Sequence, residues 1–265
     1  MTFNKSKQSI GIFDSGIGGT SIWKEIKALL PNENTIYLSD SNNAPYGQKT
    51  NDEIIKLAIK NTELLIEKGC KIIIVACNTA TTNAIKYLRE RYNIPFIGIE
   101  PAIKPASLQT KTNTIGILAT KGTLNSKLFE KTSANINNNI QIIEQIGEGL
   151  VELIEDGKIE STQMTLLLKK YLSEMVTQKC DCIVLGCTHY PYLIPQIRKI
   201  VGNKIKIIDS GEAVARQTKN ILIKNNLLNL SENTPKNIFY INKNKNTLKN
   251  VLSNYSETEV SYLDF

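Results

Sequence analysis

Two cysteines stand at positions that suit thiol chemistry. Cys77 ends the apolar run 71–77 and is followed by Asn-Thr, and Cys187 ends the apolar run 182–187 and is followed by Thr-His. A free cysteine has a pKa of ~8.5 and is only a few per cent thiolate at neutral pH. A reactive cysteine therefore needs a neighbouring group that assists its deprotonation.

A pair of thiols suits the inversion of a carbon centre. Racemisation at an α-carbon requires a base on one face of the substrate and a proton donor on the other. One thiolate and one thiol would supply both groups. Asp14, at the end of the first apolar run, and His189, close behind Cys187, are the candidate assisting groups. The sequence predicts racemisation with Cys77 and Cys187 facing each other across a cleft.

The other three cysteines are expected to be packing residues. Cys70 and Cys180 each precede a candidate catalytic cysteine by seven residues, and Cys182 begins the second run. At about 3.3 Å per strand residue, the first two lie on the order of 20 Å from the reactive strand ends. Small buried cysteines usually pack like apolar residues.

Metal and hydrolytic chemistry fit these residues less well. A zinc site uses three or four ligands, usually in close pairs, whereas this chain offers two distant cysteines and one histidine. No metal is predicted. A cysteine hydrolase would use Cys187 with His189 as its base and would leave Cys77 without a role.

Polar loops follow the strands and could hold an amino acid. The segment DSGIGG at 14–19 joins a strand to a helix, and its glycines let backbone N–H groups approach an anion. The segment APYG at 44–47 is a turn by composition. Side chains or amides beside these loops and beside the cysteines supply further polar groups: Tyr46, Gly47, Asn78, Thr79 and Thr188.

A dinucleotide site is the main alternative for the first glycine-rich loop. Asp40 ends the next apolar run at a plausible distance, but the third glycine of the G-x-G-x-x-G fingerprint would fall at Ser21. Asp14 already occupies the turn, where it could also cap the following helix. A nicotinamide cofactor is therefore not predicted.

Strand-like and helix-like segments alternate along the chain, which is typical of an α/β protein with mainly parallel sheets. Amphipathic helices are predicted at 51–68 and 161–178. Strands are predicted at 9–14, 35–40, 71–77, 96–100, 114–120, 182–187 and 205–209.

An internal repeat organises these elements, although any α/β protein contains several similar apolar strands. The runs that open at Ile10 and Ile115 are nearly alike, and the two candidate cysteines follow them by 67 and 72 residues. We expect two pseudo-symmetric α/β domains, 1–97 and 98–208. Ligands of parallel sheets bind beyond the carboxyl ends of the strands. An approximate twofold axis would then bring both thiols to one ligand from opposite sides.

Composition excludes several other classes. The net charge is +7, but the basic residues are scattered, so a nucleic-acid partner is not expected. No run approaches the roughly 18 apolar residues of a membrane span, and no apolar signal-peptide run follows the opening residues. We expect a cytoplasmic protein without a membrane partner and with free thiols.

Five motifs together resemble the glutamate racemase family, within the aspartate/glutamate racemase superfamily. They occur in order within residues 9–225: DSGIGG at 14–19, APYG at 44–47, ACNTAT at 76–81, ATKGT at 119–123 and GCTHYP at 186–191. The resemblance implies two α/β domains with the active site in the cleft between them. It also implies that residues 209–265 return to the first domain, that the protein is a homodimer, and that it uses neither pyridoxal phosphate nor a metal.

The same resemblance implies roles for single residues. Cys77 would act on D-glutamate with Asp14, and Cys187 would act on L-glutamate with His189. The reaction would supply D-glutamate for bacterial peptidoglycan. Positions that match the family's substrate-binding residues are Ser15, Tyr46, Gly47, Asn78, Thr79 and Thr188.

Two departures from the family pattern bear on the site. Glu155 matches the family's assisting carboxylate, but it follows Val-Glu-Leu-Ile in place of the common Val-Pro-Leu-Val, and a solvated acidic helix face with Glu152 is the alternative. Asn43 stands where the family has arginine. Two other functions remain open: a racemase for aspartate or another small amino acid, and a two-lobed amino-acid-binding protein.

Overall fold

The strands form two sheets, one of six strands and one of four. The computed structural model describes residues 5–137, 139–231 and 233–265. In these ranges the strands are β1 (Ile10–Asp14), β2 (Thr35–Ser39), β3 (Ile72–Val75), β4 (Phe96–Gly98), β5 (Thr114–Ala119), β6 (Gln141–Ile146), β7 (Cys182–Gly186), β8 (Lys206–Ile208), β9 (Asn237–Ile241) and β10 (Thr258–Tyr262).

Helices connect most of these strands. They are α1 (Thr20–Leu29), α2 (Asn51–Glu67), α3 (Asn78–Arg91), α4 (Ile103–Gln109), α5 (Lys121–Leu124), α6 (Lys127–Ala134), α7 (Leu150–Glu155), α8 (Thr162–Thr177), α9 (Ile194–Val201), α10 (Gly211–Lys224) and α11 (Asn246–Val251). Short 3-10 helices occur at Lys5–Lys7, Ser41–Asn43, Tyr46–Gln48 and Tyr190–Leu193.

The two sheets repeat one strand order. The larger sheet runs β10-β9-β2-β1-β3-β4 and the smaller runs β6-β5-β7-β8, and every described pairing is parallel. The order β2-β1-β3-β4 therefore matches β6-β5-β7-β8. The predicted α/β class with two mainly parallel sheets is confirmed, and β3 and β7 hold equivalent central places.

Local sequence signals explain the boundaries of the two predicted helices. Thr50 and Glu53 form a capping box at the start of α2, in which each side chain bonds the other residue's backbone N–H. The Ser161 hydroxyl accepts the Met164 N–H at the start of α8. These groups satisfy N–H donors that have no partner inside the helix.

All seven predicted strands are present, with slightly shorter bounds, but three strands were not predicted. β6, β9 and β10 lack the continuous apolar runs of the central strands. β6 and β10 are edge strands with several exposed side chains, and β9 alternates between buried and half-buried residues. β9 and β10 join the larger sheet, beside β2.

Buried side chains pack on the faces of both sheets. One apolar cluster includes Ile17 and Trp23 from the start of the chain together with Leu150 and Tyr190, which lie near the smaller sheet. The Trp23 ring meets the Phe239 ring edge-on, with centroids 4.9 Å apart. No helix in the described part of the chain is long and apolar enough to cross a membrane.

Candidate active site

Cys77 and Cys187 line the same pocket. Cys77 follows β3 and Cys187 follows β7, so the pocket lies at the carboxyl ends of strands from both sheets. The two residues are buried, with 4% and 7% of their surface exposed. The pocket also contains every residue that was matched to substrate binding: Ser15, Tyr46, Gly47, Asn78, Thr79 and Thr188.

The pocket is nearly closed. Its free volume is about 10 Å³, which is about the space of one water molecule. A larger cavity of about 410 Å³ shares Pro45, Gly47, Thr120 and Val151 with it. These four residues therefore form the wall between the thiols and the outer cavity.

Cys77 lies at the start of a helix. It is the N-cap of α3, its sulfur accepts the Ala80 N–H at 3.4 Å, and its thiol faces the Ser15 hydroxyl at 3.6 Å. A helix N-terminus stabilises a thiolate. Burial and the nearby Asp14 carboxylate nevertheless raise the pKa of Cys77 well above its ordinary value. This cysteine is therefore a protonated thiol at neutral pH.

Asp14 is fully buried at the end of β1. One carboxylate oxygen accepts the Gly19 N–H at 2.8 Å, and the other lies 3.4 Å from the hydroxyls of Ser15 and Thr188. Burial raises the pKa of Asp14, although the charge of His189 and the Gly19 bond act in the opposite direction. Asp14 thus binds an N–H at the start of α1 and also lies next to the Cys77 thiol.

Cys187, His189 and Glu155 form a continuous chain of contacts. His189 Nδ1 lies 3.8 Å from the Cys187 sulfur, and Nε2 lies 2.6 Å from Glu155 Oε1. The Gly18 N–H also lies 3.3 Å from Nε2, and Nδ1 faces the thiol. Glu155 is only 9% exposed, so the alternative of a solvated acidic face is wrong for this residue, whereas Glu152 is half-buried and bonds Gln48.

The His189 and Glu155 side chains form a buried ion pair. Burial lowers the pKa of His189, but hydrogen bonds with Cys187 and Glu155 outweigh it, and the pKa lies well above its ordinary value. Burial likewise raises the pKa of Glu155, but bonds from His189, Ser41 and Ile17 bring it below its ordinary value. Both shifts favour the charged pair of imidazolium and carboxylate beside Cys187.

The other predicted residues differ in what they present to the pocket. The Tyr46 phenol donates to Asp40, so only other parts of this residue can face a ligand. The Thr79 hydroxyl lies 2.8 Å from that of Thr120. Neither amide atom of Asn78, which is 3% exposed, has a hydrogen-bond partner among the described residues. Asn78 thus offers a free donor and a free acceptor.

Several residues at the site were not predicted, Pro45 and Val151 of the pocket lining among them. Ser41 and Ile17 bond the Glu155 carboxylate, and Thr120 lines the pocket. Thr120 directly follows β5, so the rule that ligands bind beyond strand ends could have found it. Ile17 lies in the glycine-rich loop whose N–H groups were expected to approach an anion, and its N–H bonds the Glu155 carboxylate. Ser41 gave no such signal, because its partner lies 114 residues away in the chain.

The donor set of the site does not resemble a metal centre. Within residues 5–137, 139–231 and 233–265, no group of three or more His, Cys, Asp or Glu side chains could hold a metal ion. All five cysteines are free and buried. Cys70, Cys180 and Cys182 lie away from the pocket lining, as expected for packing residues.

Comparisons with known proteins show the family of this chain. The family model for Asp/Glu/hydantoin racemases matches residues 10–218. The glutamate racemase of Herpetosiphon aurantiacus is 45% identical over 222 residues, which are 84% of this chain and 87% of that protein.

Solved structures of glutamate racemases share the whole fold. An isoform from Bacillus anthracis matches with a TM-score of 0.87 and 29% identity, and the match covers 98% of both chains. The Francisella tularensis enzyme, solved in complex with D-glutamate, matches with a TM-score of 0.84 and 31% identity over 98% of both chains. This chain therefore belongs to the Asp/Glu/hydantoin racemase family and, within it, to the glutamate racemases.

Proposed function

We propose that this protein interconverts L- and D-glutamate without a cofactor, by proton transfer between two cysteines on opposite faces of the substrate. The observation that carries the proposal is the single pocket lined by Cys77 and Cys187, each with its own buried partner. Asp14 assists proton transfer at Cys77, and the pair of His189 and Glu155 assists proton transfer at Cys187.

The mechanism assigns the two thiols different roles. Cys77, whose pKa is raised by burial and Asp14, is the proton donor, and Cys187, which lies 3.8 Å from His189 Nδ1, is the base. This state accepts L-glutamate. The Cys187 thiolate takes the proton from Cα, and the Cys77 thiol protonates the opposite face to give D-glutamate. The reverse reaction begins with a thiolate on Cys77 and a thiol on Cys187.

Polar groups around the thiols provide the contacts for an amino acid. The Nδ2 group of Asn78 can donate to one substrate carboxylate, and its Oδ1 can accept from the substrate ammonium. Ser15, Thr79 and Thr188 add hydroxyl groups, and the turn at Tyr46 and Gly47 adds backbone amides. The relatives named as glutamate racemases support glutamate over aspartate as substrate.

The wider role follows from the same family. We assign the protein to the supply of D-glutamate for peptidoglycan in the cytoplasm, and we expect a homodimer. We also propose a division into a first domain of residues 1–97 and 209–265 and a second domain of residues 98–208. The sheet membership of β9 and β10 supports this division. The catalytic cleft would lie between the two domains.

The test is circular dichroism of pure D-glutamate incubated with metal-free enzyme to which no cofactor is added. D-aspartate is run in parallel. We expect the D-glutamate signal to decay to zero, because the two enantiomers have equal free energy in solution. Decay with aspartate alone would keep the chemistry and change the substrate. A stable signal with both amino acids would contradict the proposal and favour a binding protein.

A further inference from the structure

The Glu155 carboxylate is held by three segments that are distant in sequence. Glu155 is the last residue of α7, and its Oε1 accepts the Ile17 N–H at 2.7 Å in addition to pairing with His189. Its Oε2 accepts the hydroxyl of Ser41 at 2.7 Å. The Ser41 bond is the only one the structure gives to Oε2 within its described residues.

Ser41 is itself buried and oriented. It is 1% exposed and follows β2, and its hydroxyl lies 3.0 Å from the hydroxyl of Ser39. A serine hydroxyl has one proton. Because Ser41 gives that proton to Glu155, Ser39 must be the donor between the two serines. The hydroxyl protons thus run in one direction, from Ser39 through Ser41 to Glu155.

A cavity lies behind the carboxylate. It has a volume of about 240 Å³, and Glu155 and Ser41 line it together with the exposed residues Asp156, Lys243 and Asn244. The cavity therefore reaches the surface. The Lys243 ammonium and the Asn244 amide line it together with the Glu155 carboxylate. Without a donor on Oε2, Glu155 could turn towards these groups and away from His189.

We infer that Ser41 is a positioning residue for the Cys187 half of the reaction, and this inference rests on the proposed function. Its hydroxyl holds Glu155 in the orientation that pairs with His189, and the pair keeps a cation next to the Cys187 sulfur. Ser41 touches neither thiol and acts through Glu155 and His189. Cys77, which is served by Asp14, does not depend on it.

The first test is the labelling of single cysteines by iodoacetamide, measured by mass spectrometry of the intact folded enzyme. In Ser41→Ala we expect Cys187 to be labelled about 10-fold more slowly at pH 7, while the rate for Cys77 stays within about 2-fold of the wild type. Ser210→Ala is the matched control, because it removes a buried serine hydroxyl that bonds the Glu100 carbonyl and does not touch Ser41 or Glu155. Equal labelling of Cys187 in wild type and Ser41→Ala would overturn the inference.

The second readout is the pH profile of kcat/KM for glutamate. A hydrogen bond to the charged form lowers the pKa of a carboxyl group. Ser41→Ala therefore raises the pKa of Glu155 and moves the acid limb to higher pH. At pH 7, where Glu155 stays ionised, the less well oriented pair lowers kcat/KM about 10-fold. Other titratable groups face Glu155: His189, Asp14, Tyr37, Asp156 and Lys243. The Ser41 variants replace none of them.

Conservative variants separate positioning from folding. Ser41→Thr keeps the hydroxyl and is expected to keep the wild-type pH profile, whereas Ser41→Cys has nearly the size of serine but is a weak donor. Ser41→Cys should therefore behave like Ser41→Ala. Loss of activity in Ser41→Thr and Ser41→Ala without a shift of the acid limb would assign Ser41 a merely structural role. A wild-type enzyme that fails to racemise glutamate would refute the proposed function, and the labelling rates would still decide the role of Ser41.

Discussion

At the scale of single residues, Cys77 and Cys187 have different electrostatic surroundings. Burial and the Asp14 carboxylate raise the pKa of Cys77, whereas Cys187 faces the imidazolium of His189. A racemase needs one proton donor and one base at the start of each turnover. Under the proposed mechanism, this asymmetry assigns the donor to Cys77 and the base to Cys187.

Replacing either reactive cysteine is expected to abolish most of the activity. A serine hydroxyl is far less acidic than a thiol, so Cys77→Ser and Cys187→Ser should each lower kcat by about 100-fold to 10,000-fold. Circular dichroism of glutamate measures this loss. Cys70→Ser is the control, since Cys70 is buried at the other end of the same strand. Near-normal activity in either reactive-site variant would contradict the two-thiol mechanism.

The buried pair of His189 and Glu155 gives stability a defined pH dependence. The pKa of Glu155 is lowered, so its contribution is present above its ordinary value of 4.5 and is lost as pH falls. The pKa of His189 is raised, so its contribution is present below 6.5 and is lost as pH rises through the folded-state value. The pair should stabilise the fold most between pH 4.5 and 6.5.

The variant that tests this pH dependence is Glu155→Gln. Its free energy of unfolding should fall below that of the wild type by about 1 to 3 kcal/mol near pH 6, because a hydrogen-bonded charge is lost. Urea denaturation at several pH values measures the difference. The difference should shrink as pH falls from 5 to 3. A difference that is constant across this range would exclude the ion pair as its source.

Sequence predicts residues at strand ends well and residues held by tertiary contacts poorly. Asp14, Cys77 and Cys187 each stand at or next to the end of an apolar strand, so a local pattern identifies them. Glu155 ends a short helix whose sequence equally suits a solvated face. Its burial depends on Ser41, which lies 114 residues away in the chain, and local pattern carries no information about that contact.

At the scale of elements, the loop between β1 and α1 is shaped by close approach to the site. A Cβ atom on Gly16 would lie 2.0 Å from Glu155 Oε1, and a Cβ on Gly18 would lie 2.2 Å from His189 Nδ1. These glycines let the loop backbone pack directly against the His189 and Glu155 side chains. The sequence predicted a loop that approaches an anion, and the structure also packs this loop against the His189 and Glu155 side chains.

Gly18→Ala should therefore displace the His189 ring. A shift of about 1 Å in a catalytic group can cost about 100-fold in rate, so we expect a loss of this size in kcat. Gly211→Ala is the control, because Gly211 starts α10 and its nearest neighbour would be the flexible Glu25 side chain at 3.0 Å. Steady-state kinetics and far-ultraviolet circular dichroism measure the two effects. Full activity in Gly18→Ala would contradict the position of His189.

Central and edge elements differ in how far they could be predicted. The central strands β1, β3, β5 and β7 are buried on both faces and read as continuous apolar runs. The edge strands β6 and β10 contain Glu, Gln and Ser, whose placement is decided by pairing with a neighbouring strand. Single-sequence patterns therefore identified the strands that carry the site and the apolar edge strands β4 and β8. They missed β6 and β10 and also the internal strand β9, whose buried residues alternate with half-buried ones.

At the scale of the whole molecule, the site depends on contacts between the two sheets. Asp14, the last residue of β1 in the larger sheet, contacts Thr188, which follows β7 of the smaller sheet. Ser41, which follows β2 of the larger sheet, likewise contacts Glu155 of α7, which follows β6 of the smaller sheet. Gly47 and Thr120 form part of the wall between the pocket and the outer cavity, so separation of the two sides would join the two spaces. These contacts break and reform together if the sides move as rigid bodies.

A buried ion pair lies at the amino ends of strands β2 and β3 of the larger sheet, opposite the pocket. Lys71 and Glu33 lie 2.5 Å apart with side chains 1% exposed, and Glu33 also accepts the Asn229 N–H. Removing one partner of such a pair leaves an unpaired buried charge. Lys71→Met should therefore lower the free energy of unfolding by about 3 to 5 kcal/mol.

Urea denaturation tests this prediction against an exposed pair. Lys86→Met removes the partner of Glu90, which lies 3.8 Å away on the surface of α3. Exposed pairs of this kind contribute little, so this control should leave stability nearly unchanged. Equal losses in Lys71→Met and Lys86→Met would show that burial of the first pair is not what matters. Both variants should keep the catalytic pH profile, because both sites are remote from the pocket.

The most direct test of the two-base mechanism is racemisation of D-glutamate in D₂O, stopped early and resolved by chiral separation with mass spectrometry. With Cys77 and Cys187 on opposite faces, the L-glutamate that forms should carry deuterium at Cα, because the donor thiol has exchanged with solvent. The remaining D-glutamate should stay protiated. Deuterium in both enantiomers from the earliest times would indicate a single base that serves both faces and would contradict the two-thiol account.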